Sequence, residues 1–259
     1  MILIRIFRLC RLTISVLLFF IRAFYIHFTT SDSHLRRKKF AHNVSESSKK
    51  SLKALNVELK ISNPPSGQHT YLVVSNHLGY LDIFAVAASI PSLFVTSVEM
   101  KETPFLGLFT EMGGCMYVER RSRTNILNEI KEIEAALNDG FNVVIYPEGR
   151  STNGEKVLPF KKSLLTACAD SHADIMPVVV NFKSVNGAPV QIKHRDWLCW
   201  YDDMPFVTSI WNATQIKHCE MSLDFLDVIP VNSDSNHKDI ANHAHKQIEE
   251  RFVPILSEL

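Results

Sequence analysis

Short apolar runs that stop abruptly at polar or glycine-containing clusters constrain this chain more than any other feature. Residues 71–75, 141–146 and 175–181 are rich in Val, Ile and Phe, too short for helices and apolar on both alternations. Runs of that kind read as strands buried on both faces. Residues 57–61, 93–96 and 115–118 add further short strand patterns, and 219–229 alternates like an edge strand. Between them, residues 81–90 read as a helix stopped by Pro91. Ile126, Ile130, Ile133 and Leu137 recur at helical spacing before Gly140, and Ile240, Ala244 and Ile248 do so near the end of the chain. Strands alternating with helices predict an α/β fold with a mixed, mostly parallel sheet flanked by helices.

The composition fits a packed core: of 259 residues, 46% are apolar and 21% charged, which excludes a disordered chain. The five cysteines include no C-x-x-C pair, so neither a disulfide scaffold nor a cysteine-rich zinc site is expected. A reducing compartment is the simpler reading.

Charge is distributed unevenly. Residues 1–60 carry twelve Lys/Arg and three Asp/Glu, leaving the rest of the chain acidic. That asymmetry points to an anionic partner met by one end. Of the first thirty residues seventeen are Leu, Ile, Val or Phe; Arg5, Arg8, Arg11 and Arg22 are the charged ones, and there is no acid. The uncharged run at 12–21 is ten residues long, whereas a spanning helix needs about 20. At about 100° per residue the four arginines and Ser15 share one side of a helix. This predicts an interfacial helix with arginines toward lipid headgroups and Phe and Leu toward the acyl region; a shallow hairpin is the competing geometry. A buried helix is disfavoured because its arginines would need buried partners. No small-x-small site follows the run, so it reads as retained. Leu35-Arg36-Arg37-Lys38-Lys39 extends the positive surface toward anionic lipid rather than nucleic acid. The expected organisation is a basic membrane-anchoring helical segment at 1–60 and an α/β domain at 61–259, divided near the turn cluster Asn63-Pro64-Pro65-Ser66-Gly67.

Phosphate-binding glycine loops, a G-x-S-x-G elbow and H-E-x-x-H are all missing. What the chain offers is Asn76-His77-Leu78-Gly79-Tyr80-Leu81-Asp82, placed where a buried strand gives way to a helix. A histidine five residues before an aspartate can form a base and its orienter. The same spacing at His27 and Asp32 lacks a preceding strand and reads as coincidence. Gly113-Gly114-Cys115-Met116-Tyr117-Val118-Glu119-Arg120 places an arginine after another strand. Tyr146-Pro147-Glu148-Gly149-Arg150-Ser151-Thr152 follows a third. In that block Glu148 can orient a partner or a backbone, Arg150 can hold an anionic headgroup, and Ser151 and Thr152 can hydrogen-bond it. Ligands of open α/β sheets bind outside the carboxyl ends of strands, where all three elements fall. His237, His243 and His245 read as a solvated helix rather than a metal site, since the last two point to different sides.

These blocks resemble the membrane-bound glycerolipid acyltransferases typified by 1-acylglycerol-3-phosphate acyltransferase. Asn76-His77…Asp82 matches that family's Asn-His-x4-Asp block. Gly114 to Arg120 matches its Gly-x-x-Phe-Ile-x-Arg block. Pro147-Glu148-Gly149 matches its Pro-Glu-Gly block, and Ile175-Met176-Pro177-Val178 matches its Val-Pro-Val block. The resemblance implies that His77 takes the proton from an acceptor hydroxyl attacking an acyl thioester, with Asp82 orienting His77. It also implies that Arg120, Glu148, Gly149 and Arg150, with Asn76 and Ser151 beside them, position the acceptor headgroup. The implied donor is acyl-CoA or acyl carrier protein, with no other cofactor and no metal. The implied partners are membrane lipids, at the cytoplasmic face of the inner membrane. The implied acceptor is a lysolipid, foremost 1-acylglycerol-3-phosphate. Arg150 directly follows Gly149 where the family usually has Thr, and the continuation to Leu158-Pro159-Phe160-Lys161 looks more like relatives acting on other lysolipids such as lyso-ornithine lipid. A lipid-binding scaffold and a thioester hydrolase are the alternatives.

Overall fold

The computed structural model describes residues 2–66, 69–119, 126–168, 171, 173–232 and 235–256. In chain order the elements are α1 (Ile2–Thr29), α2 (Ser33–Ala54), β1 (Val57–Ser62), β2 (Tyr71–Ser75), α3 (Tyr80–Ser89), β3 (Ser92–Ser97), α4 (Val98–Glu102), α5 (Leu106–Met112) and β4 (Met116–Val118). They continue with α6 (Ile126–Asn138), β5 (Asn142–Ile145), β6 (Asp174–Val185), β7 (Ala188–Pro189), α7 (Arg195–Leu198), α8 (Phe206–Ala213), β8 (Cys219–Phe225) and α9 (His237–Arg251).

The strands form one sheet in the order β1-β8-β6-β2-β5-β3-β4, with β7 on β6. Pairings from β6 through β2, β5 and β3 to β4 are all parallel, while β8 runs antiparallel to β6. The sheet is therefore mixed and mostly parallel, as the strand patterns predict. All five residues of β2 are buried, because both faces are covered. Val73, Val144, Met176 and Val178 pack on the side of α2 and α3, and Leu72, Val74, Val143 and Ile175 on the side of α6 and α9. Alternation along each strand thus feeds two apolar layers.

Two expectations change. Residues 219–225 do not form an edge, because β1 lies outside them in register from Val57↔Cys219 to Ser62↔Asp224. The division expected at residue 60 consequently falls inside β1, a member of the main sheet.

The larger correction concerns the arginines of α1. Arg5 donates to the Trp211 carbonyl at 2.9 Å and to Thr214 Oγ1 at 3.1 Å, and Arg8 donates to the Thr214 carbonyl at 2.9 Å. Arg11 donates to the Lys53 carbonyl at 2.7 Å. These carbonyls lie at the C-terminal ends of α8 and α2, where the last turn leaves acceptors unpaired and partial negative charge accumulates. Arg8 is only 7% exposed. The polar stripe therefore faces the protein, and buried partners, the requirement that disfavoured this orientation, are supplied by main chain. Ser15 and Asn43 extend the contact, bonding Ser51 and the Phe19 carbonyl. Only Arg22 of the four stays exposed. The opposite side of α1 presents Leu3, Phe7, Ile14, Leu17, Ile21, Tyr25 and Phe28 to the surroundings. Among the described residues, no helix is long and apolar enough to cross a membrane. In the basic cluster, Arg36 and Lys39 reach back to the carbonyl and hydroxyl of Thr30 at the end of α1.

Candidate active site

β2 and β5 are parallel neighbours, with Val74 opposite Ile145, so the segments leaving their carboxyl ends emerge side by side. His77 leaves β2 and Tyr146–Thr152 leaves β5. Asn76, 1% exposed, uses its side-chain amide as an additional rung: Nδ2 donates to the Val180 carbonyl at 3.0 Å and Oδ1 accepts from Val180 N–H at 2.9 Å. Asn76 therefore sets the chain path into His77 and offers nothing to a headgroup, contrary to the role its motif implies.

Gly79 lets the chain turn into α3 at φ +147°, and a Cβ there would meet Trp200 N at 2.8 Å. Asp82 sits in the first turn of α3, fully buried. Its carboxylate accepts the N–H groups of Leu78 and of Gly79, the latter at 2.7 Å, as a carboxylate at a helix N-terminus does. His77 Nδ1 lies 3.2 Å from both Asp82 oxygens. That contact leaves Nε2 as the ring nitrogen available to the cavity that His77 lines. The His77 side chain is 17% exposed and that of Asp82 is 0% exposed, so the imidazole is accessible while its carboxylate partner is not.

Glu148 is 4% exposed and accepts His77 N–H at 2.6 Å and Leu158 N–H at 2.7 Å, one on each oxygen. Burial pushes its carboxyl up to about 7, against the opposing pull of these two amides. Its role is thus to clamp two loops together, and the headgroup contact expected of it is corrected. Thr152 completes the clamp, giving both N–H (2.8 Å) and Oγ1 (3.1 Å) to the His77 carbonyl. Tyr146 stacks on the His77 ring, with centroids 4.1 Å apart and planes at 21°.

His77 opens onto a cavity of about 1150 Å³. Gly149, Arg150 and Ser151 line it, and so do Lys161 and Lys162. Gly149 has φ +79°, and a Cβ on it would stand 2.7 Å from Lys161 Nζ, so glycine permits the lysine to close over this turn. Arg120 lies outside the described residues; its neighbour Glu119 lines the cavity and donates its N–H to Glu129 at 2.6 Å. Much of the remaining wall is apolar, from Leu12, Val16 and Phe20 of α1, Phe84 of α3, Phe94 of β3 and Phe109 of α5. Sequence reasoning did not assign Tyr146 or Lys161 a role, nor foresee that Thr152 holds the His77 backbone. Lys161 lies far along a loop where no period sets its direction.

The sequence profile of the acyltransferase family matches residues 54–181. A 1-acyl-sn-glycerol-3-phosphate acyltransferase of Neisseria gonorrhoeae is 31% identical over 181 residues, covering 70% of this chain and 69% of that protein. The chain belongs to the 1-acyl-sn-glycerol-3-phosphate acyltransferase family. A lyso-ornithine lipid O-acyltransferase of Rhodobacter capsulatus is also 31% identical, over 179 residues, covering 67% of this chain and 63% of that protein. The crystal structure of the 1-acyl-sn-glycerophosphate acyltransferase of Thermotoga maritima shares the fold, with a TM-score of 0.69 at 16% identity, covering 97% of this chain and 94% of that one. All four motif blocks of this acyltransferase, up to Val178, fall within the matched residues.

Among the described residues, the grouping with metal-ligand spacing is Glu58, His218 and Glu220, whose ligand atoms lie within 4.8 Å of one another at the exposed β1–β8 edge. Lys60 already pairs with Glu220 there at 3.4 Å, and none of the three lines the cavity.

Proposed function

We propose that this acyltransferase moves a fatty acyl group from acyl-CoA or acyl carrier protein to the free hydroxyl of a lysolipid, foremost 1-acylglycerol-3-phosphate. The observation that carries the reading is a histidine fixed through Nδ1 by a fully buried aspartate and opening onto a large cavity with an apolar wall and a cationic rim. His77 Nε2 takes the proton of the acceptor hydroxyl as its oxygen bonds to the thioester carbonyl carbon. When the carbon–sulfur bond breaks, the same nitrogen returns the proton to the departing thiolate, giving an ester and a free thiol. A positioned base of this kind contributes about 10²–10⁴-fold. Asp82 keeps Nδ1 protonated and steadies the imidazolium between the two steps. Arg150 and Lys161 supply the charge an anionic headgroup needs.

Relatives named for lyso-ornithine lipid acylation support that lysolipid as a second acceptor. The outward apolar face of α1 supports attachment in the plane of the membrane surface, which we assign to the cytoplasmic leaflet. Membranes carrying the protein, given labelled acyl thioester and each lysolipid in turn, test the assignment. Transfer to 1-acylglycerol-3-phosphate is expected. Transfer only to lyso-ornithine lipid would replace that acceptor, and no transfer to any lysolipid would overturn the function. Protease protection placing the His77 side in the periplasm would overturn the leaflet.

A further inference from the structure

We propose that Tyr146 is a positioning residue for the reaction, its ring holding the His77 imidazole in the plane that points Nδ1 at Asp82 and Nε2 at the cavity. This rests on His77 acting as the base. The contact to Asp82 fixes one edge of the imidazole but leaves the ring free to swing about that contact. A near-parallel aromatic face with its centroid 4.1 Å away closes that freedom, because a turn about Cβ–Cγ would drive an imidazole edge into the phenol.

The position is secured by the fold. Tyr146 is the first residue after β5, whose neighbour β2 delivers His77. Pro147 restricts Tyr146 to extended backbone, and Pro147 O accepts Lys161 N–H at 2.8 Å. The phenol hydroxyl is buried and makes no hydrogen bond of ordinary geometry among the described residues. Burial and the adjacent Asp82 carboxylate hold its proton well above the usual tyrosine range. The ring therefore stays neutral, and its face attracts the imidazolium as that cation forms. The stack on His77 is the contact that phenylalanine would keep and leucine would lose.

The test compares wild type with Tyr146→Phe, Tyr146→Leu, Tyr146→Met and His77→Ala, using acyl-CoA with 1-acylglycerol-3-phosphate and with lyso-ornithine lipid, after thermal melts confirm folding. Tyr146→Leu is expected to lower kcat about 10- to 100-fold with the lysolipid KM within about twofold, since the loss is of orientation rather than binding. Tyr146→Phe keeps the stack and is expected to stay within about threefold of wild type. If the Leu variant does not fold, the Met variant takes its place, and the Phe variant tests the account by itself. Wild-type kcat in a folded Leu or Met variant, a change confined to KM, or a Phe variant as slow as Leu would overturn the proposal. Full activity in His77→Ala would sink the function itself, whereas an inactive His77→Ala beside a fully active Tyr146→Leu would sink only the role of Tyr146.

Discussion

The cavity has two walls of opposite character. On one side His77 lines the cavity, and behind it Asp82, Glu148, Asn76 and Thr152 are buried and each bonds main-chain groups that fix the His77 segment. On the other side α1 contributes Leu12, Val16 and Phe20, and its own polar groups, Arg5, Arg8 and Arg11, turn to carbonyls at two helix ends. Both walls neutralise buried polar groups with backbone dipoles. In the first the result is an immobilised imidazole. In the second it is a helix held by its charged stripe, with apolar side chains free to line a cavity and to face outward. Substitutions in the first wall should strike turnover, and those in the second should strike which chains fit and how the protein sits on a membrane.

The largest effect is expected for Asp82→Asn. Its amide would face the Leu78 and Gly79 N–H groups or turn a donor toward Nδ1, and kcat should fall about 10³-fold or more, read in a transfer assay. Glu148→Gln comes next. One of the two amides it now accepts would meet an N–H instead of an oxygen, and urea titrations should show a loss of about 1–3 kcal/mol.

The same residue gives a pH signature. Its carboxyl is raised from 4.5 to about 7 in the folded protein. Across that window the folded state holds the proton and the unfolded state does not, so its contribution to stability falls as pH rises from 4.5 to about 7. Glu148→Gln should remove that slope, which denaturation at several pH values would show.

On the α1 side, replacing the exposed Phe7 and Phe28 together by Glu should leave the melting temperature unchanged. It should weaken binding to anionic vesicles about tenfold or more. Equal vesicle binding would break the contrast between the walls. The smallest effect on rate is expected for Val16→Trp, which fills part of the cavity. It should shift preference toward shorter acyl donors with kcat on those donors nearly intact, measured by competition between chain lengths.

The strands were legible because residues buried on both faces leave continuous apolar runs, and β2, β5 and β6 fall on the predicted segments. Periodicity also located α9 and α1, but period says nothing about which side meets the body. In α9, Ile240, Ala244 and Ile248 turn inward. In α1, Arg8 and Ser15 do so, because the partners that make this favourable, the carbonyls of Lys53, Trp211 and Thr214, come from distant segments. The same limit governs the site. Spacing and a strand end sufficed to propose His77 with Asp82. The exchange of Asn76 and Glu148 from ligand contacts to backbone clamps depends on Val180 and Leu158, whose proximity only the fold creates.

The most direct test of the account is acyl transfer from labelled acyl thioester by wild type and His77→Ala, both shown to be folded and bound to vesicles. Ester formation on a lysolipid should fall by at least about 10²-fold in the variant. Undiminished transfer by His77→Ala, or release of free fatty acid by the wild type with no lysolipid needed, would contradict it.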